Sequence, residues 1–323
     1  MSSFRSLSGA RRYLLVFGLG CVLVLGVSEW MLRTWIVPIH DSRANRVHLV
    51  YTASQRDAVL GDSHLSRAFT NSDRFANLAR PGSSPAALEI VAREYFRHLE
   101  PGRVIVQASP QLFTRRMQRR GAQRHDRWFT LNLGLPFAPY VFEPGIAAEI
   151  GAFLDWEELD RRTRDARGRK RTSGPILDRE AARRRALSPA ERVGEAAERL
   201  RQNQPVAGAA DSAAFDAYLR LLDALIAKGA RVCLAETPVT AEYDALARED
   251  PRHVEVVLAL RSAAEERRLP IVDFRDWPIL LRADDFTNAD HLTTARGGDY
   301  AAWLETACYG ASGAVGPKSA PTR

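Results

Sequence analysis

The sequence predicts an α/β protein: a three-layer sandwich around a five-stranded parallel sheet of flavodoxin-like type, with an N-terminal transmembrane helix and a helical insertion. Three observations predict it. Five apolar runs of strand length alternate with stretches of helical periodicity, the pattern of a parallel sheet covered on both faces. A long apolar segment follows a group of arginines near the N-terminus. About a hundred residues then interrupt the strand–helix alternation, far more than an ordinary crossover needs.

Taken in order, the first element is the apolar segment. Arg5, Arg11 and Arg12 precede Tyr13–Val27, 15 apolar residues without interruption. Continuing to Met31 or Leu32 gives the roughly 20 residues that a membrane span requires. The basic flank predicts a cytoplasmic stub, a single pass through the inner (cytoplasmic) membrane, and a periplasmic or external location for everything past about residue 38. A cleaved signal peptide is the competing reading, but no A-x-A-like site follows the apolar run. The chain is therefore read as an anchor over 1–38, a body over 39–308 with an insertion at about 112–210, and a disordered Gly/Ser/Ala/Pro tail over 309–323.

The strands are expected at Asp57–Gly61, Arg74–Leu78, Arg103–Gln107, Arg231–Glu236 and Pro270–Phe274. The helices are expected at Pro85–His98, Ala213–Lys228, His253–Arg268 and Thr294–Cys308. Glu100-Pro-Gly-Arg and Lys228-Gly-Ala-Arg end two of these helices and lead straight into strands. The insertion has an aromatic first part, Trp128–Trp156, in which the stretch to Tyr140 reads as core. Its second part, Asp160–Arg201, is arginine-rich and helical, with Ser188-Pro-Ala-Glu191 as a capping box. It reads as an insertion over the sheet's edge or mouth, with its arginines on a solvated face, that the fold can dispense with.

Charge supports that division. The chain holds 46 Lys+Arg against 39 Asp+Glu, but Arg161–Arg201 alone holds 14 against 6, so the excess is local. With the body exported, a nucleic-acid partner is disfavoured. Cys21, Cys233 and Cys308 have neither CxxC spacing nor a framework count, and Cys233 reads as a buried free thiol.

The chemistry lies at two strand ends. Gly61-Asp62-Ser63 closes the first strand, where the turn into a helix exposes the Ser63 hydroxyl at the carboxyl edge of the sheet. Asn288-Ala-Asp290-His291 is expected to open the last helix at the same edge. A serine nucleophile needs a base within reach and a group to orient that base. His291 is the candidate base; Asp290 is the orienting acid, with Asn288 or Asp285 as alternatives. His64 reads as a supporting neighbour rather than the base. His40, His48, His98, His125 and His253 have no metal-ligand spacing and read as surface residues, so neither a metal nor another cofactor is expected.

At these residues the sequence resembles the SGNH, or GDSL-like, hydrolase superfamily. Val59-Leu-Gly-Asp-Ser-His64 matches its first block. Asn77-Leu-Ala-Arg-Pro-Gly82 is similar to the second, which implies that the Gly82 and Ser63 N–H groups form an oxyanion hole. Asp290-His291-Leu292 resembles the last. The likeness spans about residues 55–308 without the insertion. The N-terminal anchor, Glu236-Thr-Pro-Val239 and Phe286-x-x-x-Asp-His-Leu resemble the membrane-anchored DltD and alginate O-acetyltransferase type. Two positions depart from the pattern. Gln107-Ala-Ser-Pro-Gln111 stands where the third-block Asn is expected, leaving Gln107, Ser109 or Gln111 as substitutes. Asn288 occupies the usual place of the triad acid.

The resemblance implies a membrane-anchored serine acyltransferase or esterase that acts on O-acyl groups of an envelope polysaccharide or other polymer. It also implies a multispanning membrane acyltransferase as a possible partner. The alternative is a catalytically inactive scaffold of the same fold that binds polysaccharide or such a partner.

Overall fold

The computed structural model describes residues 4–31, 54–69, 72, 74–115, 117 and 174–310. These belong to two units, helix α1 (Phe4–Met31) to one and the rest to the other. Within α1, Tyr13–Met31 is 19 residues long and is the one stretch among the described residues long and apolar enough to cross a membrane. At 1.5 Å per residue it measures about 28 Å, close to the thickness of a bilayer's hydrocarbon core. Leu14, Phe17 and Leu23 on this helix are exposed, a surface better solvated by lipid than by water.

The second unit is built on a parallel sheet of β1 (Ala58–Leu60), β2 (Ala76–Asn77), β3 (Arg103–Gln107), β4 (Arg231–Ala235) and β5 (Ile271–Val272). The strand order is β2-β1-β3-β4-β5, a doubly wound order in which ligands bind beyond the carboxyl ends of the strands. Each strand lies within the apolar run that foretold it. The runs are continuous rather than alternating because both faces are covered. Ala58, Val59, Leu60, Val104, Ile105 and Val106 are all fully buried, and each larger side chain among them contributes about 1.5–3 kcal/mol by leaving water.

One face carries Val59, Ile105, Cys233, Ala235 and Val272. They pack with Leu65 and Ala68 of α2 (Ser63–Ala68) and with Tyr300 and Leu304 of the last described helix, Thr294–Tyr309. By strand alternation Ala58, Leu60, Val104, Val106, Val232 and Leu234 face the other way. That side is covered by α3 (Pro85–Tyr95) and the long helix Ala213–Ala227, which pack against each other. The Tyr218 hydroxyl of the second donates to the Gln107 carbonyl at 2.9 Å.

Three expectations need correction. The arginines of the insertion, where it is described from residue 174 on, do not all lie on a solvated face. Helices α4 (Gly174–Arg185) and α5 (Pro189–Gln202), with the expected Ser188–Glu191 capping box, pack on the body. α5 lies against α7 (Ala241–Glu249), which follows α6 (Ala213–Ala227) and had no foretelling run. Ala196 and Leu200, one helical turn apart, join Val239, Tyr243, Ala247 and Ala289 in a second apolar cluster. Arg184 is 1 % exposed and pairs with Glu195 and Glu242, so this face is not simply solvated. The aromatic stretch Trp128–Tyr140 and the tail 311–323 lie outside the described residues.

Second, Cys233 and Cys308 are not isolated. A disulfide joins β4 to α9 (Thr294–Tyr309) across 75 positions, a pairing no local spacing could signal. Third, His253, read as a surface residue, is buried at the start of α8 (Pro251–Glu266). Burial pushes its imidazole down to about 4, against the pull of Asp250 and Asp244.

Candidate active site

The nucleophile's position follows from the end of β1. Gly61 has no room for a side chain, because a Cβ there would lie 2.6 Å from Gln107 Oε1. That same oxygen accepts the Asp62 N–H at 2.8 Å, fixing the turn to the end of β3. Asp62 then caps α2, its Oδ1 accepting the His64 N–H at 2.9 Å. Ser63 is the first residue of this helix, half-buried at the carboxyl edge of the sheet.

The Gly82 turn is anchored to the same edge. The Leu78 N–H donates to the Val59 carbonyl and the Arg80 N–H to the Gly61 carbonyl, at 3.0 and 2.9 Å. Gly82 takes a φ of +78°, in the left-handed region that favours glycine. Neither the Ser63 nor the Gly82 N–H has an acceptor among the described residues. Both residues line a cavity of about 200 Å³, together with Asp62, His64, Pro81, Gln111, Thr114, Met117, Arg199 and Asn203.

The base arrives on an element that differs from the expected one. Asn288–His291 does not open the last helix; it forms the turn of a short antiparallel pair, β6 (Phe286–Asn288) and β7 (His291–Leu292). The Asn288 side chain accepts the Asp290 N–H at 3.2 Å, closing the turn. Thr293 is the true cap of α9, its hydroxyl accepting the Arg296 N–H.

His291 Nε2 lies 2.7 Å from Ser63 Oγ. Its Nδ1 lies 2.7 Å from Asp290 Oδ1 and 3.0 Å from Asn288 Oδ1, so both alternative orienting groups touch the same nitrogen. With Nδ1 protonated toward these two acceptors, Nε2 is left free to accept the serine proton. Asp285 is excluded, since its carboxylate accepts the Arg282 N–H and pairs with Arg296 of α9. Of the three substitutes for the missing Asn, Gln107 uses its oxygen on the Asp62 N–H while its buried Nε2 has no partner among the described residues, and Ser109 bonds Thr237 at 3.0 Å. Only Gln111 of the three lines the cavity.

Two groups that the sequence did not single out complete the site. Arg199 of α5 donates through Nε to both Asp290 oxygens at 2.9 Å, and Asn203 Nδ2 donates to Oδ2 at 2.6 Å. They stand four positions apart on one turn at the end of α5, a spacing the sequence does contain, but nothing in it says which turn meets the hairpin. His64 also differs from a passive neighbour. Its Nδ1 is 2.5 Å from Asp62 Oδ1, its Nε2 is 3.4 Å from Asp290 Oδ2, and its ring stacks on His291 with centroids 4.2 Å apart.

Electrostatics divide the two histidines. Burial drives the His291 imidazole down to about 4; Asp290 pulls the other way, and the His64 charge adds to the lowering. Burial also opposes charge on His64, but Asp62 and Asp290 outweigh it and raise this imidazole to about 9. Asp290 is held well below the usual carboxylate range: burial works against it, and His291 and His64 overcome the burial. At neutral pH the arrangement thus offers a free-base imidazole on a serine hydroxyl, with an ionised carboxylate behind it.

No protein-family model matches the chain, and no curated protein matches it.

Proposed function

We propose that the protein is a membrane-anchored serine acyltransferase or esterase of the cell envelope, of SGNH type. The observation that carries this reading is the Ser63–His291–Asp290 chain of contacts, 2.7 Å at each link. His291 takes the proton from Ser63 as the hydroxyl attacks an acyl carbonyl, and Asp290 stabilises the imidazolium that forms. The Ser63 and Gly82 N–H groups, without an acceptor among the described residues, receive the oxyanion, with Gln111 beside them. The adduct then collapses: the bond to the donor's leaving group breaks, the His291 imidazolium protonates that group, and acyl-Ser63 remains. A hydroxyl of an envelope polysaccharide or other polymer, or water, gives its proton to His291 and takes the acyl group, and Ser63 regains its proton from His291. A cavity of about 200 Å³ favours a small acyl group, below the usual 300–1,000 Å³ or so of drug-sized pockets. No cofactor enters these steps.

The location is part of the proposal. The basic N-terminus keeps the stub of α1 cytoplasmic, which puts the site on the periplasmic side of the inner membrane. The Cys233–Cys308 disulfide supports this, because such bonds persist in oxidising compartments. A multispanning acyltransferase handing acyl groups across the membrane is the partner this reading calls for, and nucleic acid has no place in it.

Labelling of the full-length protein by a fluorophosphonate probe tests the chemistry. Wild type should label, Ser63→Ala, which lacks the oxygen that the probe phosphonylates, should not, and His291→Ala should lose roughly 10³-fold or more of the rate. A folded wild-type protein that does not label would overturn the enzyme reading in favour of an inactive scaffold.

A further inference from the structure

The reaction proposed above needs one histidine, and the site holds two. His64 is 5 % exposed in its side chain and stands between Asp62 and Asp290, both at 0 %. Ionised carboxylates only accept hydrogen bonds; His64 Nδ1 bonds Asp62 Oδ1, and Nε2, which makes no hydrogen bond among the described residues, lies 3.4 Å from Asp290 Oδ2, at ion-pair distance. A neutral ring would leave a buried lone pair beside a carboxylate, so two carboxylates this close favour an imidazolium. The other charged or titratable groups facing the pair are His291 in the stack, Arg199 across Asp290, and Arg67 of α2, which reaches Thr287 Oγ1 at 3.0 Å.

We propose that His64 is a positioning residue working as a buried imidazolium. It ties Asp62, the cap of the helix that carries Ser63, to Asp290, the acid on the hairpin that carries His291. The two halves of the site are thereby joined by an ionic bridge, Asp62–His64–Asp290, independent of the Ser63–His291 contact itself. The proposal rests on the serine–histidine reading for its catalytic meaning, but the bridge is a property of the structure alone.

The bridge has a second effect. A cation stacked 4.2 Å from His291 opposes a further charge there, by more than about one pH unit at intermediate interior polarity. His64 therefore keeps His291 the free base in acid. The consequences for stability have opposite signs. His64, raised to about 9, contributes stability that is full below its unfolded value of about 6.5 and is lost as pH rises toward 9. His291, lowered to about 4, favours the folded state above about 6.5, and that contribution is lost as pH falls toward 4.

The test uses full-length protein in detergent with ¹⁵N-labelled histidine. In wild type, one imidazole should stay protonated up to about pH 9, and two, His291 and His253, should stay neutral down to about pH 4. His64→Gln, which keeps a donor for Asp62, should remove the first signal. It should also move the acid limb of fluorophosphonate labelling up by about one pH unit or more. A His64 that titrates near 6.5, or an unmoved acid limb in folded His64→Gln, overturns the proposal. The wild-type titration needs no variant, so a His64→Gln protein that does not fold leaves the charge decided. A charged His64 in a protein that never labels would sink the serine reading while leaving the bridge standing.

Discussion

Ser63 and His291 meet at 2.7 Å but are held there by different means. Ser63 follows β1, which pairs with β2 on one side and β3 on the other, so the nucleophile inherits its place from a backbone ladder. His291 stands on β6–β7, a pair registered at only Phe286↔Leu292 and Asn288↔His291. Side chains keep that hairpin in place: Arg199 and Asn203 grip Asp290, His64 faces it, and α4 packs against β6. The sheet places the serine without regard to side-chain charge. The base depends on a set of charges drawn from helices far away in the chain.

That contrast can be tested at its strongest point by comparing Asp290→Ala with Asn288→Ala. Both residues touch His291 Nδ1, but only Asp290 is also gripped by α5. Asp290→Ala should slow fluorophosphonate labelling by about 10³–10⁴-fold, whereas Asn288→Ala should stay within about tenfold. Equal losses would mean that hydrogen bonding to Nδ1, rather than the anchored charge, does the orienting.

A smaller effect is expected from the packing of the helices that reach the hairpin. Arg184→Ala removes a cation buried between Glu195 and Glu242, and should cost about 3–4 kcal/mol in denaturant unfolding. Arg220→Ala, at an exposed pair with Glu89, should cost about 1 kcal/mol or less. Similar costs for the two would return α4 and α5 to the status of an ornament.

The smallest effect on labelling concerns the disulfide, which fastens α9, the helix after the hairpin, to β4 inside the sheet. Replacing both Cys233 and Cys308 by alanine should lower stability by about 2–5 kcal/mol. Under native conditions it should leave the labelling rate nearly unchanged. A large loss of rate in the folded double variant would show that the bond positions His291 as well as holding the fold.

The same contrast explains what the residues disclosed. Five strands could be read from Asp57, Arg74, Arg103, Arg231 and Pro270 onward because a strand covered on both faces must be continuously apolar, and that is a local property. Ser63 was legible because a Gly-Asp-Ser turn after such a strand can emerge only at the carboxyl edge. Asp290 stood ahead of Asn288 in the sequence only as the adjacent acid, since both lie within three positions of His291; their contacts with α5 separate them. Arg199 was one arginine among many in its segment; its role depends on how α5 docks through Ala196 and Leu200. His64 was visible as a neighbour of Ser63. The pull on its ring was only half visible: Asp62 is two positions away, but Asp290, which adds to it, is 226 positions away.

The 228 positions between Ser63 and His291 also set an order of events during biosynthesis. The chain is made from its N-terminus at about 5–20 residues per second, so the serine precedes its proton acceptor by roughly 10–50 seconds. Throughout that interval the hydroxyl is an ordinary alcohol. The hairpin has to dock before it becomes anything else, and α9, whose Cys308 seals that end of the body, follows the hairpin directly. On the function proposed above, reactivity is thus the last property the folding chain acquires.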